Sequence, residues 1–419
     1  MQRTHVYRMA GHSTATLIAA ALLSTVLAGC GGGSSSSSTS APQAMTILHA
    51  FSTSAGYGPS SGVVSDGQGN LYGTTAIGGY GAVYKIEASG AASTLHSFDG
   101  SDGLTPSTLL RGSDGNFYGT TQSGGAYGAG TVFKITPQGA LTTLHSFSGP
   151  DGFAPIVLIW GNDGNLYGTT LVGGATFASN ADATLTGAGT IFQVTTSGEL
   201  TTLYSFKGLD GYNPIGMVQG TDGAFYGATV FGGPAYVSSA PSEQGAGTVF
   251  TLAADGTLTT LFAFSGTQSP SPTALIQGAD GNLYGTTYGG GGSLDTALGT
   301  VFKVTLNGEF TTLHSFSGTD GMYPDGINQG ADGNLYGATG QGGPTYSSTS
   351  NGNDLGYGSI FKITPAGGFT SVFSFAQTNG ATPDGSLLQG SDGALYGTTI
   401  QAGPSGGGTV FKLNLPATQ

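Results

Sequence analysis

The sequence predicts an all-β fold, a seven-bladed β-propeller of four-stranded blades whose last blade is closed by the N-terminal strand. Three observations carry this expectation. A Tyr-Gly pair recurs at Tyr72, Tyr118, Tyr167, Tyr226, Tyr284, Tyr336 and Tyr396, at intervals of 46 to 60 residues, each followed within three residues by Thr. Four short segments, alternating or apolar, surround each pair, which is the grammar of a propeller blade. The last copy stops after Gly408 to Leu413 without its fourth segment, and Met45 to Phe51 reads like the missing one; compare Leu141 to Phe147 in the second copy. A β-helix, the alternative repeat architecture, has shorter coils.

In the second copy the segments are Ser107 to Arg111, Asn116 to Thr121, Gly130 to Thr136 and Ala140 to Phe147. Asp114-Gly115 separates the first two, with equivalents at 163, 222, 280, 332 and 392 and Gln68-Gly69 in the first copy. An Asp-Gly pair between apolar runs predicts a tight hairpin of type I′, with both central residues at positive φ. Pro137-Gln138-Gly139 joins the third and fourth segments in the same way. The N-terminal strand then closes the ring by ordinary sheet pairing, which removes exposed edges.

Composition agrees. Of 419 residues 79 are Gly, only 7% are charged and the formal net charge is −13. Gly has no three-residue period, so collagen is excluded. Acidic balance excludes a nucleic-acid footprint. An apolar share of 37%, without blocks of like charge, excludes disorder.

The repeated residues read as scaffold. His49, His96, His145 and His314 share one position of the fourth segment, which holds Tyr204, Phe262 and Phe373 elsewhere; Phe cannot replace a metal ligand, so these are packing residues. The Tyr of each Tyr-Gly pair reads as a residue between blades. Trp160 stands where other copies have Arg111, Gln219, Gln277, Gln329 or Gln389 and reads as structural. No catalytic residue, metal-ligand spacing or phosphate loop is found, and no cofactor is expected. Ca2+ is the one ion the ring of turn Asp residues brings to mind, although no Asp-x-Asp-x-Asp-Gly loop is present.

Candidate sites lie where the copies differ. Loops between second and third segments are long in blades three, four and six (Ala175 to Thr186, Pro234 to Gln244, Pro344 to Tyr357), and blade five has a shorter one. They carry Phe177, Asp182, Tyr236, Glu243, Asp295, Tyr346, Asp354 and Tyr357, apolar faces beside carboxylates as on a sugar-binding rim; solvated decoration is the plainer reading. Pro324-Asp325-Gly326 and Pro383-Asp384-Gly385 open the innermost strands of blades six and seven. Two neighbouring carboxylates at a channel mouth can hold a cation or work as an acid/base pair, or serve as ordinary turn residues.

The N-terminus supplies an address. Residues 1–29 have a positive start (Arg3, Arg8), an apolar run from Leu17 to Ala28 too short to span a bilayer, and the ending Leu27-Ala28-Gly29-Cys30. This ending resembles a bacterial lipobox, with Cys30, the sole Cys, as the lipidated residue. Residues 30–44 form a Gly/Ser tether, 45–414 the propeller and 415–419 a tail.

The unit Asp-Gly-Asn-Leu-Tyr-Gly-Thr-Thr … Gly-Thr-Val-Phe-Lys … Leu-Thr-Thr-Leu-His-Ser-Phe stands almost intact at Asp114 to Phe147 and at Asp280 to Phe316. It resembles the repeat of the choice-of-anchor tandem-repeat GloVer-containing proteins over residues 45–414. The resemblance implies a bacterial exported protein, brings no catalytic residues and leaves the biochemical role open. The expectation is a monomeric, lipid-anchored binding module at the cell envelope, at the outer membrane or cell surface, with a polysaccharide or an envelope or extracellular protein as ligand. A propeller enzyme of lactonase or lyase type, and a structural surface module, are the alternatives.

Overall fold

The computed structural model describes residues 45–53, 57–77, 79–177, 187–234, 245–265, 271–290, 298–347 and 355–416. These residues form seven antiparallel sheets and no helix. In blade two the order from the axis outward is Leu104–Arg111, Phe117–Ser123, Thr131–Ile135 and Leu141–Ser146. Blades three to six repeat this order. Blade seven is Ala381–Gln389, Leu395–Gln401 and Gly406–Leu413, with Met45–Ser52 as its outer strand. That strand pairs with the third strand from Met45 opposite Leu413 to Ser52 opposite Gly406, so the two ends of the chain close the ring as expected. Blade one differs in its inner strand, which is broken into Tyr57–Pro59 and Val64–Ser65, both paired to Leu71–Ile77.

The core lies between blades. Tyr118 and Phe147 of blade two pack against Leu158, Leu166, Phe192 and Val194 of blade three, and equivalent clusters fill the other blade interfaces, including that between blades seven and one. Each fully buried Phe or Tyr contributes about 1.5–3 kcal/mol by leaving water. The Gly after each Tyr makes room within its own blade: a Cβ at Gly119 would stand 2.4 Å from the Phe133 ring and 2.4 Å from the Thr108 carbonyl. The repeated Thr residues hold the second and third strands together through buried hydroxyls, as in Thr121–Thr131 (2.9 Å), Thr170–Thr190 (2.9 Å) and Thr229–Thr248 (3.0 Å). Blade one has Ala82 at the partner position, and the buried Thr75 hydroxyl there has no partner.

Two sequence expectations need correction. In the Asp-Gly turns only the Gly is at positive φ (Gly115, 78°), and Gly115 N–H donates to Gly112 O at 3.1 Å. The hairpin is therefore a three-residue loop with a left-handed Gly and a bulge, not a two-residue type I′ turn. The inner strands also begin earlier than Ser107 and its equivalents. Residues before the inner-strand Pro (Thr105, Ala154, Asn213, Ser271, Tyr323, Thr382) take a left-handed conformation, and a bulge follows. Pro thereby sits inside a strand instead of ending it. It packs on a Gly of the preceding blade, as Pro155 does on Gly130. In five blades the left-handed residue also donates to the preceding blade, Ala154 N–H to Ala129 O at 3.0 Å for example.

Candidate functional site

Inner strands line the central channel, and the residue after each Pro faces the neighbouring inner strand. Ser60, Ser107 and Thr273 use their hydroxyls there as staples, donating to Pro106 O (2.8 Å), Pro155 O (3.2 Å) and Pro324 O (2.9 Å) of the next blade. In blades six and seven the same position holds Asp325 and Asp384. The structure brings these two together: their carboxyl groups are hydrogen-bonded side chain to side chain, and Gly326 N–H donates to Asp325.

Such a bond requires one proton between the two groups, because two carboxylates offer only acceptors. Burial pushes the Asp325 carboxyl well above its ordinary range, and the bonds from Asp384 and Gly326 oppose that push only in part. Taken as whole residues, both Asp325 and Asp384 are half-buried. Thr398 fixes the local backbone, its hydroxyl lying 3.0 Å from Asp384 O and 3.2 Å from Ser61 O of blade one. Two carboxyl groups thus meet across the boundary of blades six and seven, one of them with its charged form disfavoured by burial. Among the described residues no group of three or more His, Cys, Asp or Glu side chains forms a metal centre.

Of the rim candidates, Phe177, Tyr346 and Tyr357 are described and all are half-buried. Phe177 covers Gly149, Tyr346 covers Gly318, and Tyr357 packs into the interface of blades six and seven. Asp182, Tyr236, Glu243, Asp295 and Asp354 lie outside the described residues, as does Cys30.

Sequence reasoning missed three features. His96, His145 and His314 do more than pack: Nε2 lies 2.6, 2.8 and 3.0 Å from Asp102, Asp151 and Asp320, six residues on. Tyr204 donates likewise to Asp210 at 2.6 Å. The signal was present in part: the copies with Phe262 and Phe373 lack that Asp, and Asn379 replaces it before blade seven, but His49 has Ala55 at the same spacing. Secondly, the turn Asp residues bind the repeated Tyr: Asp114 accepts from Tyr118 (2.9 Å), Asn116 (2.7 Å) and Lys134 (2.8 Å). In blade one Asp66, not the Gln68 aligned by spacing, fills this place through Gln68 N–H and Asn70. Thirdly, Trp160 borders a cleft, described below.

Fold and channel together define the class: a closed seven-bladed β-propeller built from tandem repeats, with a carboxyl dyad in its channel. The sequence matches the Gloeobacter/Verrucomicrobia repeat over residues 21–236 and 174–345, and the chain belongs to that family. Comparison with curated proteins returns no match. Among solved structures it is similar to an inactive variant of virginiamycin B lyase from Staphylococcus aureus, solved with quinupristin (17% identity, TM-score 0.60, 89% of this chain and 100% of that one). It is also similar to an oligogalacturonate lyase in complex with manganese (12%, 0.57, 90% and 97%). A third is the oligogalacturonate lyase of Vibrio parahaemolyticus (12%, 0.55, 89% and 94%). At these identities the likeness is one of fold.

Proposed function

We propose that the protein is a lipid-anchored, surface-exposed binding module that engages a polysaccharide, or an envelope or extracellular protein, through its loop face. One observation carries this reading: variation in length is concentrated on one face. The second and third strands are separated by a short connection in blade seven (Gln401 to Gly406) and by long ones in blade three (Val172 to Thr190) and blade six (Gln341 to Ser359). The turns on the opposite face keep nearly one length throughout. A rigid ring that varies only in the loops around one channel mouth suits recognition on that face. A glycan array probed with the full chain tests this. Binding should be lost when the inserts of blades three, four and six are replaced by the short loop of blade two; binding that survives the replacement removes the reading. Anchoring is tested separately, by palmitate incorporation that Cys30→Ser abolishes.

The Asp325–Asp384 dyad favours a second reading, a lactonase- or lyase-like activity or a cation site in the channel. The solved lyases named above lend it only their fold. If millimolar Ca2+ leaves the melting temperature unchanged, and Asp325→Asn and Asp384→Asn alter no binding or turnover, this reading fails.

A further inference from the structure

Gln219, Gln277, Gln329 and Gln389 staple their blades to the preceding one at the end of the inner strand. Each side-chain oxygen accepts a backbone N–H from the turn before: Asn162 (2.8 Å), Thr221 (3.0 Å), Ala279 (2.8 Å) and Ala331 (2.8 Å). Each side-chain nitrogen donates to a carbonyl of its own turn: Gly223 (2.9 Å), Gly281 (3.0 Å), Gly333 (2.8 Å) and Gly393 (3.3 Å). Blade three has Trp160 at this position. The indole N–H donates instead to Arg111 O at 2.9 Å, and the ring stands edge-on to Tyr118 at 5.0 Å. Trp160 therefore offers no acceptor to the Ser113 N–H and no donor to the Gly164 carbonyl, the groups that correspond to Asn162 and Gly223.

Ser113 and Gly164 line an open cleft of about 290 Å³ between blades two and three, together with Trp160, Asp114, Lys134 and Thr196. That is just below the roughly 300–1,000 Å³ usual for small-molecule sites, room for a single sugar ring. An aromatic side chain, a backbone donor, a backbone acceptor and a hydroxyl in one small cleft are what a sugar ring needs: apolar C–H groups against the indole, hydroxyls to the polar groups. Lys134 and Asp114 neutralise each other at 2.8 Å, so the cleft has no net charge to favour an acidic sugar.

We propose that this cleft, on the face opposite the variable loops, binds one uncharged pyranose unit of a glycan. Its recognition is independent of the loop face.

Trp160 is the sole Trp of the chain, so intrinsic fluorescence reports the cleft directly. The full chain is titrated with the methyl glycosides of glucose, galactose and N-acetylglucosamine, and with glucuronate. At least one neutral glycoside should give a saturable change in Trp emission, with a dissociation constant in the millimolar range. Saturation-transfer NMR should show the same binding lost in Trp160→Gln, a side chain four other blades already accept, and kept when the loop inserts are replaced. Absence of a saturable change with every neutral glycoside, binding of glucuronate alone, or undiminished binding by a folded Trp160→Gln would each overturn the proposal.

Discussion

Phe51→Ala tests the closure of the ring. Phe51 is the most buried side chain of the N-terminal strand, 8% exposed, and it packs between blades seven and one against Val63, Leu71, Tyr84, Ile86 and Val410. Its ring meets Tyr84 edge-on at 5.1 Å and His49 at 4.6 Å. Truncating a buried Phe costs about 3–5 kcal/mol, through lost transfer energy and an unfilled cavity. The residual exposure and the outer position put Phe51 near the lower end, about 3 kcal/mol. Phe206, its counterpart in blade three, is 1% exposed and faces Phe250 at 5.3 Å, so Phe206→Ala should cost about 4 kcal/mol. Urea unfolding followed by circular dichroism measures both. If Phe51→Ala stays within about 0.5 kcal/mol of the parent while Phe206→Ala falls as expected, the N-terminal strand does not close blade seven in solution. Deleting residues 45–52 should lower stability as well and expose the edge Gly406–Leu413 to aggregation.

Ala82→Thr should raise stability by about 1 kcal/mol, because it gives the buried Thr75 hydroxyl the partner found in the other blades; a lower unfolding midpoint would contradict this. Acid should destabilise the ring in a defined window. Against the upward push of burial, Asn334, Lys362 and Tyr336 hold Asp332 down at about 2, and Lys412 and Tyr396 hold Asp392 at about 2. Burial likewise opposes, without overcoming, the downward pull of His145 and Ser148 on Asp151 and of His314 and Ser317 on Asp320. Folded values below the ordinary 3.8 stabilise at neutral pH, and that stabilisation is lost as pH falls from about 4 through about 2. Melting temperature should drop there, less steeply in Asp332→Asn with Asp392→Asn. Asp325 has the opposite sign, since its folded value is raised and its charged form is disfavoured. Asp325→Asn should therefore raise the melting temperature at about pH 8, with a gain that shrinks as pH falls toward the ordinary carboxylate range. A lower melting temperature at pH 8 would show that the dyad stabilises the channel.

Repetition made much of this protein legible. Seven Tyr-Gly pairs announced seven blades, and the truncated last copy announced which strand would complete it. Equivalent positions could be compared seven times within one chain, so the His of the outer strand could be set beside Tyr204 and Phe373. What repetition hid was the content of exceptions. Trp160 looked like a strand-end substitution because the bonds of the Gln it replaces reach 56 to 58 residues away to three of the four preceding turns. Asp66 was hidden by two extra residues in its turn.

Local pattern, then, determined the number of strands, the places of the turns and the closing strand, because alternation, Asp-Gly chemistry and period are read along the chain, whereas the turn type and the starts of the inner strands were set by the bulges beside them. The tertiary structure alone decided what meets across blades. Asp325 and Asp384 are 59 residues apart in the chain, and the curvature of the ring brings their carboxyl groups together. The cleft at Trp160 likewise lies between blades two and three, where Trp160 replaces the Gln that bonds both turns at four other interfaces. Both depend on distances between separate sheets, which the order of residues within one blade does not specify.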